Sequence, residues 1–280
     1  MPHERLWPPE SFLSVQGHQF HYRVQGNGPA LILVHGLAGY SFSWRRNLEE
    51  LARRFRVYAL DLVGAGYSDR PRDYPYSFSA VALQITEFAR AAGEREIFLA
   101  GHSLGGAGAL LCAARFPELV RGLVLLAPVN PFSRQRRFLI RLGGMPVLGH
   151  LILHTGRLFA QPLTGFVLRH RLYGDPKRVD RDTIAGYAHP LEVFASVEVL
   201  RRTFAAWDLD SLHAALPLIK QPALLIWGDR DRTVSPDSAP LLAAALRAQL
   251  EIIPGCGHLP AEEAPEVVNR LILQFLRNRQ

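Results

Sequence analysis

One serine stands in a pattern that can make it a nucleophile. Gly101-His102-Ser103-Leu104-Gly105 is a G-x-S-x-G motif, placed between a strand-like run, 96–100, and a helix-like segment, 104–116. A strand, a sharp turn and a helix in this order can lift a serine hydroxyl above the end of a sheet. The small residues around Ser103 permit that turn. The pattern therefore predicts acyl transfer with Ser103 as the nucleophile.

A serine hydroxyl needs a base to accept its proton, and His258 is the candidate. In enzymes that use this turn, the order along the chain is serine, acid, histidine. Of the 11 histidines only His258 follows the strand-like run 223–227, and it lies in a glycine-rich loop, Pro254-Gly255-Cys256-Gly257-His258. We therefore expect His258 to be the general base.

The acid that orients the imidazole should follow the strand-like run 223–227. Asp229 and Asp231 both lie there, and their positions alone do not separate them. The loop after the run 120–127 offers Asn130, which is uncharged and therefore no rival.

Two backbone N–H groups are expected to stabilise the oxyanion. The Leu104 N–H lies at the start of the helix, and the second donor should come from the loop after the run 30–35. That loop reads His35-Gly36-Leu37-Ala38-Gly39, where Gly36 permits a tight backbone approach and the Leu37 N–H is the natural donor. His35 ends a buried strand, which favours a structural hydrogen bond to the loop backbone over a role as base.

Three residues near this loop are predicted to bind substrate, namely Gly36, Phe42 and Trp44. The two aromatic side chains could equally anchor the helix that follows the loop.

The segments that must position these residues alternate between strand-like and helix-like patterns. Near-continuous apolar strands that are separated by helices predict a parallel sheet covered on both faces. Strands are predicted at 20–24, 30–35, 55–60, 96–100, 120–127, 223–227 and 250–253, and helices at 44–54, 79–92, 104–116, 238–248 and 265–276. Ser79 is the expected N-cap of its helix.

The alternation is interrupted once, between Pro128 and Pro217, by helical and loop-like sequence without a clear strand. The predicted domains are therefore a core of residues 1–127 and 218–280 and a helical insertion of residues 128–217. Segment 134–172 of this insertion mixes arginines with large apolar residues, a composition that could contact an anionic membrane surface weakly. A pair of lid helices over the site is the favoured alternative.

Composition and charge exclude several classes of protein. The chain has 280 residues, 48% hydrophobic and 20% charged, which is enough apolar sequence to bury a core. Two cysteines exclude a disulfide framework and a cysteine-rich metal site. The net charge of +7 is carried by residues 128–202, without zinc-finger spacing or an RNA-binding motif, so no nucleic-acid partner is expected. No apolar run could span a membrane and no signal peptide is evident, so the expected location is the cytoplasm.

Together these motifs resemble the α/β-hydrolase-fold serine hydrolases. The matching pieces are His35–Gly39, Asp61–Asp69, Gly101–Gly106, Gly228–Val234 and Gly257-His258. The resemblance implies an α/β fold with a mostly parallel, eight-stranded sheet flanked by helices and a lid inserted after strand 6. It also selects Asp231, the last residue of a G-x-x-D pattern, as the acid. Haloalkane dehalogenases and epoxide hydrolases share the flanking motifs but carry Asp where this chain has Ser103, so those activities are not expected.

The expected function is hydrolysis of small to medium apolar carboxylic esters through an acyl-enzyme, with Ser103, His258 and Asp231 as the triad. No metal or organic cofactor is expected, and the partner is a small-molecule ester. The same triad is compatible with a carbon–carbon hydrolase of aromatic ring-cleavage products, a lactonase or a cofactor-free perhydrolase. A ligand-binding receptor on the same fold is the non-enzymatic alternative.

Overall fold

An eight-stranded sheet forms the centre of the molecule. The computed structural model describes residues 7–8, 10–133, 159–192, 194–277 and 279. The strand order is β1-β2-β4-β3-β5-β6-β7-β8; β1 and β2 pair antiparallel with their neighbours and the others are parallel. The strands are β1 Ser11–Val15, β2 His18–Gln25, β3 Ala30–Val34, β4 Arg56–Leu60, β5 Ile97–His102, β6 Val120–Leu126, β7 Ala223–Gly228 and β8 Gln249–Ile253.

Both faces of this sheet are covered, and the central strands show why their sequences are apolar throughout. Successive side chains of a strand point to opposite faces. In β3, Ile32 and Val34 belong to one hydrophobic cluster, while Leu31 and Leu33 belong to another on the opposite face. A strand buried on both sides requires apolar residues at every position. The predicted fold class is confirmed.

Ten α-helices occur in the described residues, and most of them cover the sheet. They are α1 Leu48–Ala52, α2 Phe78–Ala91, α3 Leu104–Arg115, α4 Ala160–Val167, α5 Arg181–Glu192, α6 Phe194–Ala205, α7 Leu209–Ala215, α8 Ala239–Leu246, α9 Pro260–Glu263 and α10 Pro265–Arg277. The predicted N-cap of α2 was wrong. Ser77 has the extended backbone of a cap and its hydroxyl accepts from the Ala80 N–H, whereas Ser79 lies inside the helix and its hydroxyl accepts from Arg115.

The described residues between 128 and 217 consist of helices, turns and loops and contain no strand. They form α4 to α7, a short π-helix at Leu168–Leu172 and 3₁₀ turns at Pro176–Arg178 and Leu216–Leu218. Much of segment 134–172 lies outside the described residues, and a separate lid domain stays a prediction. Within the described part of the chain, every helix is too short or too polar to cross a bilayer.

The parallel strands bring their carboxyl ends to one edge of the sheet. The loop after β3, the turn after β5 and the loops after β7 and β8 all leave from this edge. In open sheets of this kind, ligands bind at that edge. These loops contain the residues that the sequence predicts to be catalytic.

Candidate active site

Ser103 occupies a strained turn between β5 and α3. Its φ and ψ are 51° and −113°, a region that non-glycine residues rarely adopt. Its N–H donates to the Leu126 carbonyl and its carbonyl accepts from Val129, so hydrogen bonds to and beyond β6 hold the turn. A Cβ at Gly101 would lie 2.6 Å from the Gly105 carbonyl oxygen. The flanking glycines are therefore required for this close approach.

His258 reaches Ser103 from the loop after β8. Its Nε2 lies 3.0 Å from the Ser103 hydroxyl oxygen, although 155 residues separate the two in the chain. The loop is fixed on both sides: the His258 N–H donates to the Leu172 carbonyl at 2.6 Å, and the Gly257 N–H donates to the Glu263 carboxylate at 2.7 Å. Ser103 and His258 are 6% and 4% exposed, so this pair is nearly dry.

Asp231, and not Asp229, faces the imidazole. Asp231 Oδ2 lies 2.7 Å from His258 Nδ1, while its Oδ1 accepts from the Thr233 and Val234 N–H groups at 2.7 and 2.9 Å. Asp229 is exposed, and its carboxylate accepts from the Gly255 N–H. The loop geometry thus separates two carboxylates that position in the sequence leaves open.

These contacts set the tautomer of His258. A carboxylate only accepts hydrogen bonds, so the proton of the neutral ring lies on Nδ1, facing Asp231. Nε2 then offers its lone pair to the Ser103 hydroxyl, which donates to it. The arrangement can move a proton from Ser103 to His258 while Asp231 stabilises the resulting imidazolium.

The loop after β3 passes close to the serine turn. A Cβ on Gly36 would lie 3.1 Å from Ser103 Cβ and 2.7 Å from His102 Nδ1. Leu37 follows Gly36 and lines the same cavity as Ser103 and His258. Leu37 and Leu104 also line a smaller adjoining cavity of about 50 Å³. The two predicted oxyanion donors therefore belong to segments that meet beside Ser103.

His35 serves this loop and not proton transfer. Its Nε2 accepts from the Leu62 N–H at 3.1 Å, so Nδ1 carries the proton that is donated to the Gly36 carbonyl at 2.8 Å. Burial lowers the pKa of His35, which keeps the ring neutral. These hydrogen bonds to the loop backbone fit the structural role that the sequence favours for His35.

His102 joins the serine turn to the histidine loop, a connection that the motif alone does not reveal. Its Nε2 donates to the His258 carbonyl at 2.7 Å, and the two rings lie 4.8 Å apart. Burial, and then the neighbouring His258, lower the pKa of His102 to about 3. A neutral His102 can therefore hold the loop of His258 without adding charge.

The site opens into a cavity of about 920 Å³. Its wall is mainly apolar, and two exposed arginines, Arg171 and Arg232, belong to it. The apolar side chains lining it from the segment after residue 159 are Leu163, Val167, Leu168, Leu172, Leu200, Phe204 and Trp207. Such a wall suits an uncharged, apolar ligand.

Two of the three predicted substrate-binding residues lie elsewhere. Gly36 lines the cavity, but Phe42 and Trp44 do not. Phe42 stacks on Tyr40, and Trp44 packs in the cluster on the opposite face of the sheet from Ile32. Both side chains are buried in packing, so the prediction that they bind substrate is corrected in favour of the anchoring alternative.

Glu263 is a positioning residue that the sequence reasoning missed. One carboxylate oxygen accepts from Gly257 beside His258, and the other accepts from Gly174 at 2.8 Å. It therefore ties the histidine loop to the segment after the π-helix. The available signal was an acidic residue in the short helix directly after the His258 loop.

Known proteins that are similar to this chain include hydrolases, and a family model covers most of its length. Residues 29–265 match the model of a family described as alpha/beta hydrolase fold. Pimeloyl-(acyl-carrier protein) methyl ester esterase of Xanthomonas oryzae is 31% identical over 270 residues, covering 90% of this chain and 98% of that protein. Epoxide hydrolase 3 of Xenopus tropicalis is 27% identical over 281 residues, covering 93% and 75%. The solved structure of a bacterial membrane phospholipase A is 26% identical with a TM-score of 0.77, covering 96% of this chain and 86% of that one.

Proposed function

Because this chain belongs to the alpha/beta hydrolase fold family, we propose that it is a serine hydrolase that cleaves carboxylic esters of small to medium apolar substrates. The observation that carries the proposal is the unbroken set of hydrogen bonds from Ser103 through His258 to Asp231, which faces an apolar cavity.

The proposed reaction is acyl transfer in two halves. His258 takes the Ser103 proton as the hydroxyl oxygen attacks the ester carbonyl, and it then gives that proton to the departing alcohol. Water, deprotonated by His258, attacks the acyl-enzyme and releases the carboxylic acid, which restores the Ser103 hydroxyl. Asp231 holds the imidazole in the required tautomer in both halves.

The oxyanion of each half is assigned to the Leu37 and Leu104 N–H groups. Leu104 begins α3, so the positive end of the helix dipole faces the developing charge. Removing one donor of this kind typically costs about 3 kcal/mol of transition-state stabilisation. Because these donors are backbone groups, the apolar side chains of the two leucines are no obstacle.

The residue at position 103 favours ester chemistry over epoxide opening. Ring opening through a covalent ester intermediate needs a carboxylate nucleophile, whereas a serine with a neutral histidine is suited to acyl transfer. Two of the similar proteins are named an esterase and a phospholipase, and one is named an epoxide hydrolase. The serine at position 103 supports the ester chemistry that the names of the esterase and the phospholipase indicate.

The test is turnover of p-nitrophenyl acetate, butyrate and octanoate beside one ring-cleavage dienoate. We expect ester turnover that Ser103→Ala abolishes and that Ser79→Ala, a change at a half-buried serine in the first turn of α2, leaves intact. A fluorophosphonate probe should label the wild-type protein at Ser103 and should not label Ser103→Ala.

Three results would contradict the proposal. They are esters left uncleaved while the dienoate is cleaved, an ester rate unchanged in Ser103→Ala, and turnover that stops after one cycle with a modified His258. The last result would favour the receptor.

A further inference from the structure

We propose that the exposed face of α4 and the π-helix after it form a docking surface for an anionic lipid bilayer. Phe159, Leu163 and Phe166 are 65%, 40% and 60% exposed, although large apolar side chains are usually buried. Leu163 and Phe166, three residues apart, lie on one side of α4, and Phe159 is the residue just before its first turn. We call these three residues the α4 stripe.

The charges that follow the α4 stripe in the chain, up to residue 174, are of one sign. Residues 159–174 contain Arg169 and Arg171 and no acidic residue. His170, also exposed, packs its ring against Phe166 at 4.6 Å, which places the start of this basic segment at the end of the stripe. In the sequence, the preceding residues 134–158 contain five further arginines and no acid.

The exposed apolar stripe and the arginines that follow it together favour an anionic bilayer as the ligand of this surface. A helix at a bilayer surface buries its apolar side chains at the boundary of the acyl chains and places cations against anionic headgroups. The phosphate backbone of a nucleic-acid duplex offers no apolar surface to the two phenylalanines, and a second copy of the chain would bring like charges together. An anionic bilayer offers acyl chains to the α4 stripe and negative headgroups to the arginines.

The surface adjoins the mouth of the cavity. Leu163 belongs to the α4 stripe and also lines the cavity, and Arg171 lines it from the π-helix. A protein docked through this surface would open its cavity next to the lipid. The docking itself requires no catalytic step and stands whether or not the proposed ester hydrolysis is correct.

The experiment is flotation of the full-length protein with vesicles of ether-linked phospholipids, which have no carboxylic ester bond to cleave. Neutral phosphatidylcholine vesicles are compared with vesicles containing equal parts of phosphatidylglycerol, at about 0.1 M and about 1 M salt, where the screening length falls from about 10 to about 3 Å. The variants are Phe166→Ser, Arg171→Gln and, as matched control, Leu241→Ser, an exposed leucine of α8.

We expect binding to the anionic vesicles that weakens about tenfold in Phe166→Ser and about fivefold in Arg171→Gln, while Leu241→Ser binds like the wild type. High salt should weaken it as well. The proposal is overturned if the wild type does not float with anionic vesicles, or if Phe166→Ser and Leu241→Ser behave alike. Two other results would also overturn it. In the first, light scattering shows that the wild type is a dimer and that Phe166→Ser is a monomer. In the second, the wild type binds an acidic protein through Phe166 and does not bind the vesicles.

Discussion

Replacing Gly36 by alanine tests whether the loop after β3 supplies an oxyanion donor. The new Cβ would lie 2.7 Å from His102 Nδ1 and 3.1 Å from Ser103 Cβ, and ordinary contact begins at 3.4 Å. The loop or the ring must therefore move by about 0.7 Å, the difference between 2.7 and 3.4 Å. The His102 ring cannot move easily, because it is buried and its Nε2 donates a hydrogen bond to the His258 carbonyl.

A displacement of this size is enough to misplace the Leu37 N–H. Shifts approaching 1 Å at a catalytic group can cost about 100-fold, and loss of one oxyanion donor costs about 100- to 1000-fold in kcat. We expect Gly36→Ala to lower kcat for p-nitrophenyl butyrate by about 100-fold with a smaller change in KM, which is a loss of about 3 kcal/mol of transition-state stabilisation.

The matched control is Gly122→Ala in β6. Its Cβ would lie 3.3 Å from the Phe98 ring, which is also a tight contact in the core but away from Ser103. Steady-state kinetics and thermal unfolding are measured for both variants. A folded Gly36→Ala protein with kcat near that of Gly122→Ala would refute the assignment of the Leu37 N–H.

Three further predictions follow from single contacts. Asp231→Asn should lower kcat by about 10⁴-fold through the wrong imidazole tautomer, whereas Asp229→Asn should leave it nearly unchanged; equal losses in stopped-time ester assays would refute the choice of acid. The pKa of His102 is lowered to about 3 from 6.5, so the unfolded chain binds a proton there below pH 6.5 and the folded chain does not. Its stabilising contribution is therefore present above pH 6.5 and lost as the pH falls towards 3, by up to about 1.4 kcal/mol per pH unit. His102→Gln should therefore flatten the pH dependence of the free energy of unfolding measured with urea, and an unchanged slope would contradict the prediction. Trp44→Leu should lower the free energy of unfolding by about 1 to 3 kcal/mol with KM unchanged, and a raised KM would restore a substrate role for Trp44.

The sequence predicts the central strands and the serine turn well because burial on both faces demands a distinctive pattern. β3 and β5 are apolar at nearly every position, so their limits agree with prediction to within two residues. β1 was not predicted from its residues, because SFLSV is half exposed and resembles many loops. Ser77 and Ser79 are both good caps by type, and only the extended backbone at Ser77 decides between them.

Residues near one another in the chain can still lie on opposite sides of a sheet, and this explains the failure at Trp44. The 3₁₀ turn at Ser41–Trp44 closely follows the loop after β3, but it directs Trp44 towards the cluster that contains Leu31 and Leu33. Ser43, between the two aromatic residues, does line the cavity. The motif fixes where the loop begins, and only packing decides which side chains of the next turn reach the ligand.

The chemistry and the specificity of this site come from different parts of the chain. Ser103, Asp231 and His258 stand at strand ends that the buried sheet fixes, whereas most of the large apolar side chains in the cavity wall come from α4 to α6 and the π-helix. An apolar residue of that wall, such as Leu200 or Phe204, has the same sequence signature as a core residue, so the pattern cannot tell which face meets a ligand. The similar proteins named for ester and epoxide hydrolysis fit this division, because one sheet can present different nucleophiles beneath different walls.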